Sequence, residues 1–133
     1  MNVDFGSFDS LFRAARRSPH LRRALHDKLL EVYPGYDVIH DVAQRRADHE
    51  RIPMIITASP ICLRNATERW GRAVTDRNIL RAEIGLDPLE PAPIPAALLL
   101  EEGAFHVRSL ADLRRSLGRN QFVEQQIVSL RPR

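Results

Sequence analysis

The chain has 133 residues, of which 20 are basic and 17 are acidic, giving a formal net charge of +3. Hydrophobic residues make up 44% of the chain, so a wholly disordered protein is excluded. The sequence has no apolar run of about 18 residues, so we expect no membrane-spanning helix and no membrane partner. The single cysteine excludes an internal disulfide and a multi-cysteine zinc site. The first residues include an acid and no basic segment, which favours a cytoplasmic protein over a secreted one.

Apolar residues at helical spacing predict that the first part of the chain is helical. The first three predicted helices span 7–17, 19–33 and 38–50. Ser18 suits the cap of the second helix, and Pro19 suits its first helical position, where a backbone N–H is not needed. The dipeptide Pro34-Gly35 is predicted to end that helix, and Asp37 to cap the third.

The middle of the chain begins with a β-prone run at 54–58, which predicts an extended segment or a strand that joins a later hairpin. Two further helices are predicted at 60–74 and 77–85. On the apolar face of the first of these, Trp70 is predicted to anchor the core and Cys62 to be a buried structural residue.

A proline-rich segment marks the one clear boundary in the chain, because neither a helix nor a central strand tolerates four prolines in the nine residues 87–95. A linker at 87–96 is therefore predicted between a unit at 1–86 and a small unit at 97–133. In the small unit, a β-hairpin is predicted at 97–101 and 104–108.

The end of the chain carries one further helix signal and one ambiguous segment. Ser109 and Asp112 resemble a capping box at the start of a helix that Gly118 would end. Residues 121–130, which include Phe122, fit a helix or a strand. The predicted fold is α+β and mostly helical: a bundle of about five helices, then the linker, then a small β-hairpin plus helix docked on the bundle.

Basic residues are concentrated near the start of the chain. Residues 11–28 hold six basic side chains and one acidic one, whereas 87–102 hold four acidic side chains and no basic one. Such a cluster is typical of a docking face for an acidic partner or for phosphates. The candidate partner-binding residues are Arg13, Arg16, Arg17, Arg22 and Arg23.

An acidic protein is the favoured partner because a net charge of +3 is modest for a dedicated nucleic-acid-binding protein. Nineteen of the 20 basic residues are arginine, a bias that a GC-rich coding sequence also produces. Nucleic-acid binding is the alternative, with a helix-turn-helix at 62–85 whose second helix would present Arg77 and Arg81 to the groove. Self-association is left open.

No group of residues predicts catalysis, a metal site or a cofactor. Asp37, His40 and Asp41 lie three and four residues apart and would share a helix face, but a polar helix surface has the same pattern. Glycines are scattered, so no phosphate-binding loop is present. The sequence thus favours a small non-enzymatic binding protein: a regulator, inhibitor, adaptor or assembly component.

Overall fold

The computed structural model describes residues 5–90, 92–116 and 124–133. Its elements are α1 (Phe5–Ala15), α2 (Pro19–Val32), α3 (Pro34–Glu50), β1 (Met54–Ala58), α4 (Pro60–Glu83), α5 (Ala96–Glu101), β2 (Phe105–Ser109), α6 (Leu110–Ser116) and β3 (Gln125–Leu130). The fold is α+β and mostly helical, as predicted. The predicted order is wrong, because the strands alternate with helices along the chain and do not follow a completed bundle. No helix of the described residues is long and apolar enough to cross a membrane.

The three strands form one antiparallel sheet in the order β2-β1-β3. In the central strand, Ile56 lies opposite Val107 of β2 and Val128 of β3. A register shift follows, so that Ile127 is an extra, bulged residue on β3. Every residue of β1 is buried, which explains why the run at 54–58 is apolar except for Thr57. The prediction of a strand there is confirmed.

The hydrophobic core draws on all three predicted segments of the chain. It contains Phe8 and Leu29 from the helices, Ile94 from the proline-rich segment, and Phe105 and Ile127 from the outer strands. Ile94 is only 1% exposed, so the proline-rich segment is anchored in the core that the first and last parts of the chain build together.

Local start signals for helices are confirmed. The Ser18 hydroxyl accepts a hydrogen bond from the Leu21 amide at 3.4 Å, and the Ser59 hydroxyl accepts one from the Cys62 amide at 3.3 Å. At the start of α6, the Asp112 amide donates to the Ser109 hydroxyl at 3.2 Å, and the Ser109 amide donates back to the Asp112 carboxylate at 3.4 Å. These side chains satisfy amides that have no partner within the helix.

The third helix begins earlier than predicted. Pro34 occupies its first turn, so Tyr33 alone separates α2 from α3 and Asp37 lies inside α3 instead of capping it. Residue 35, in the first turn of α3, is a glycine because the backbone around Ile94 passes directly over it and leaves no room for a side chain. A Cβ atom on Gly35 would lie 2.8 Å from the Ile94 carbonyl oxygen and 2.9 Å from the Ala96 amide nitrogen.

The two helices predicted at 60–74 and 77–85 are one continuous helix, α4. No proline or glycine interrupts 72–83, and Gly71 alone does not end the helix. The helix-turn-helix interpretation is therefore wrong. Only the first half of α4 packs into the core, whereas Leu80 in the second half and Ile84 directly after the helix are 63% and 73% exposed.

The proline-rich segment runs back along the second half of α4 as a strap. The Trp70 indole N–H donates to the Ala92 carbonyl oxygen at 2.9 Å, the Leu89 amide donates to the Asn78 side chain at 2.9 Å, and Arg81 Nε donates to the Asp87 carbonyl oxygen at 2.7 Å. Trp70 is partly buried and packs against the edge of the core, so it holds the strap and is not the predicted core anchor. Cys62 is buried, as predicted.

The predicted hairpin at 97–101 and 104–108 is wrong in its first arm, which is the short helix α5. Alanine and leucine favour helix, and Pro95 provides an extended residue before it. Gly103, at a φ of 74°, ends the turn before β2. The ambiguous segment 121–130 contains strand β3, while Gly118 and Phe122 lie outside the described residues.

Candidate functional site

The structure separates the five candidate arginines into two pairs and one single residue. Arg22 and Arg23 line an open groove of about 470 Å³. Arg13 and Arg16 line a different cavity of about 350 Å³ beside the start of α4. Arg17 lies in the turn between α1 and α2. The five candidate arginines therefore do not all line one cavity.

The groove with Arg22 and Arg23 has one helical wall and one strand wall. Its helical residues recur at three- and four-residue spacing and so share a face of α2. Its strand residues are four consecutive positions of β3. The lining residues are Pro19, Arg22, Arg23, His26, Asp27, Gln126, Ile127, Val128 and Ser129. Because successive strand side chains point to opposite faces, four consecutive residues line one groove only along the edge of the strand.

That edge of β3 is unpaired within the part of the chain that the structure describes. β3 bonds to β1 on one side, and no described strand lies on the other. Edge strands present backbone N–H and C=O groups that can pair with another extended chain. The bulge at Ile127 lies in the middle of this edge and divides it into two short stretches.

The groove is predominantly basic. Arg22 and Arg23 outnumber the single carboxylate, Asp27. The Nε atom of Arg22 is buried and has no hydrogen-bond partner among the described residues. Burying a charged donor without a partner is costly, so an acceptor such as a carboxylate would be stabilised at this position.

His26 provides a neutral polar group at the base of the groove. Its Nδ1 shares a hydrogen bond of 2.7 Å with the Tyr36 hydroxyl, and its ring centroid lies 5.2 Å from that of His40. Burial, with a smaller contribution from His40, lowers the pKa of His26 below its ordinary value of 6.5. Burial also raises the pKa of Tyr36. Both side chains are therefore uncharged at pH 7, and the two arginines provide the positive charge of the groove.

The alternative nucleic-acid residues lie elsewhere. Arg77 is exposed on the second half of α4, and Arg81 is engaged with the strap. Neither lines the groove. Among the described residues, no three histidine, cysteine, aspartate or glutamate side chains come together to hold a metal ion.

Sequence reasoning found the arginines of the groove but missed its second wall. Gln126 and Ser129 fall in the segment that fitted a helix as well as a strand, and about 100 residues of chain separate them from Arg22. No local signal pairs positions that far apart. No protein family, curated protein or solved structure matches this chain. The functional proposal therefore rests on the geometry of the groove.

Proposed function

We propose that this protein is a small binding protein that docks an acidic, extended segment of a partner protein in the groove between α2 and β3. The observation that carries the proposal is the position of Arg22 and Arg23 beside the outer edge of β3, on which no described strand lies. A strand edge recognises the backbone of an extended chain, and the adjacent arginines select the side chains that the chain carries.

Binding uses two kinds of contact. The N–H and C=O groups on the outer edge of β3 bond to the backbone of the segment, as in the addition of a strand to a sheet. Every second side chain of the segment then points toward α2, where carboxylates meet Arg22 and Arg23. A guanidinium binds a carboxylate through two parallel hydrogen bonds.

The bulge at Ile127 restricts what binds. It interrupts the ladder of backbone bonds in the middle of β3, so backbone pairing alone is limited to two short stretches. Side-chain charge therefore contributes a large share of the affinity. The same interruption disfavours uncontrolled pairing between copies of the protein.

Nucleic-acid binding is the second proposal, through phosphate contacts of the same arginines. It has weaker support because the arginines divide between two cavities. The predicted helix-turn-helix would have placed its second helix in a groove of DNA. Among the described residues, α4 instead continues as one helix through the predicted turn.

Selection from a random-peptide display library tests the first proposal. We expect the wild-type protein to enrich peptides rich in Asp and Glu alternating with β-branched residues. Replacing Arg22 and Arg23 together with Gln should weaken binding of a selected peptide by more than about tenfold, since each charge-assisted hydrogen bond contributes about 1.5–3 kcal/mol. The matched control, Arg13→Gln with Arg16→Gln, removes the same charge from the other cavity and should leave the affinity within about twofold.

Three results would contradict this proposal. They are peptides without acidic enrichment, equal loss in the control variant, and unchanged affinity in Arg22→Gln/Arg23→Gln. Tight binding of random duplex DNA that weakens steeply with salt would favour the second proposal instead.

A further inference from the structure

Away from the groove, the start of α4 brings a thiol and an imidazole to the same small space. Cys62 lies in the first turn of α4, directly after β1 and the capping residue Ser59. Its Sγ atom lies 3.8 Å from the point that a Cβ atom on Gly103 would occupy, and the Nε2 atom of His106 also lies 3.8 Å from that point. Sγ of Cys62 and Nε2 of His106 therefore lie no more than twice 3.8 Å apart.

A largely buried carboxylate lies beside the imidazole ring of His106. The Nδ1 atom of the ring lies 2.8 Å from Oε1 of Glu124, whose side chain is only 10% exposed. Arg108 Nη2 donates to the same carboxylate at 3.0 Å, and the Thr57 hydroxyl donates to it at 3.1 Å. Because Nδ1 faces Glu124, Nε2 is the nitrogen that faces the space beside Cys62.

From this geometry we infer that Cys62 is a nucleophile, His106 its general base and Glu124 the positioning residue that orients His106, in an acyl-transfer site for ester or thioester substrates. Nucleophile, base and orienting acid in this order form the arrangement that activates serine and cysteine nucleophiles on unrelated folds. The site shares no residue with the groove, so the inference is independent of the proposed function.

The reaction proceeds in two balanced steps. His106 Nε2 takes the thiol proton while Cys62 Sγ bonds to the carbonyl carbon of the substrate, and the proton passes to the departing alcohol or thiol. A water molecule then attacks the acyl-thioester, giving its proton to His106. The carboxylic acid leaves, and the proton returns to Sγ.

Space for the reacting carbon is present because residue 103 is glycine. A methyl-sized group at Gly103 would contact the thiol of Cys62 and the imidazole ring of His106 at ordinary van der Waals distances. No other described atom would lie closer to it. Its φ of 74° is a conformation that favours glycine. The sequence predicted a structural cysteine because neither His106 nor Glu124 is near Cys62 along the chain.

Alkylation tests the activation of the thiol directly, since Cys62 is the only cysteine in the chain. With iodoacetamide at pH 7, followed by intact-mass spectrometry, we expect folded wild-type protein to react at least about tenfold faster than the chain unfolded in urea. His106→Gln should remove this excess and the histidine titration from the pH profile of the rate. Glu124→Gln should lower the rate while keeping a histidine-dependent profile. His49→Gln, which changes an exposed histidine on α3, is the matched control and should react like wild type.

Acyl transfer itself is tested with p-nitrophenyl acetate. We expect release of p-nitrophenol together with a mass increase of one acetyl group on Cys62, and neither in Cys62→Ala or His106→Gln. Circular dichroism confirms that the variants fold.

Wild-type alkylation no faster than that of the unfolded chain, or an unchanged pH profile in folded His106→Gln, would overturn the inference. Failure of peptide binding at the groove leaves both readouts unaffected, so the two proposals are tested separately.

Discussion

His26 couples the stability of the helical layer to pH. It bridges α2 and α3 through its hydrogen bond to Tyr36, and burial is the main reason that its pKa lies below 6.5 in the folded protein. In the unfolded chain the same side chain regains its ordinary pKa and binds a proton more readily. The unfolded state therefore takes up more protons at mildly acidic pH.

We expect the unfolding free energy contributed by His26 to be fully present above pH 6.5 and to decrease as the pH falls below that value, down to the folded-state pKa. Urea titrations at several pH values measure it. His26→Gln should flatten this part of the pH dependence, whereas His49→Gln, on the exposed end of α3, should retain it. A slope that is the same in both variants would show that another group is responsible.

At the scale of single elements, sequence signals that act over a few residues predicted the structure well. The serines before α2 and α6 each cap the helix they were expected to begin. The errors arose where tertiary packing decided the outcome. Gly35 looks like a helix end, but it lies in the first turn of α3, where the backbone of Ile94 passes over it. The run at 97–101 fits a strand, but it forms α5 because its alanines and leucines favour helix.

The candidate sites show the same division between local and distant information. The excess of basic residues pointed to Arg22 and Arg23, which do line a groove. The other wall of that groove depends on β3 pairing with β1, and a bulge shifts that pairing within β3. Likewise, the relation of Cys62 to His106 depends on β2 lying beside β1. The spacing of residues along the sequence predicts neither the pairing of β3 with β1 nor the pairing of β2 with β1.

Two glycines in helices provide a matched test of the packing. Gly35→Ala should destabilise the protein by about 1–3 kcal/mol, because the new methyl group collides with backbone atoms at 2.8 and 2.9 Å that cannot rotate away. Gly71→Ala, inside α4 with nothing within 4 Å, should stabilise it by about 0.5–1 kcal/mol. Chemical denaturation of both variants measures the difference. Equal effects would mean that the strap does not press on α3.

At the scale of the whole molecule, the second half of α4 and the residue that follows it present an exposed apolar strip. Ala73, Leu80 and Ile84 recur at helical spacing, and the last two are more than 60% exposed. An antiparallel second copy would cover this strip. It would also place the basic stretch with Arg72 and Arg77 near the acidic stretch that begins at Glu83.

We therefore expect a weak dimer, since two such half-helices bury on the order of a few hundred Å² per copy, less than the roughly 800 Å² of a stable interface. Sedimentation velocity over a concentration series measures it. Leu80→Glu with Ile84→Glu should give a monomer at every concentration. Val42→Glu, on an equally exposed part of α3, should leave the dimer unchanged. A wild-type protein that is monomeric throughout would contradict the expectation.

The position of β1 at the centre of the sheet has a consequence for how the protein reaches its native state. This apolar strand leaves the ribosome before either of its partners, because α4, the strap and α5 all precede β2 in the chain. Until then both of its edges are open, and strands in that condition aggregate readily. Pairings between distant segments also form slowly, in milliseconds to seconds for sheet-dominated domains of about 100 residues. Refolding yield from urea should thus fall as protein concentration rises, and early release of a nascent chain ending before residue 105 should give an insoluble product.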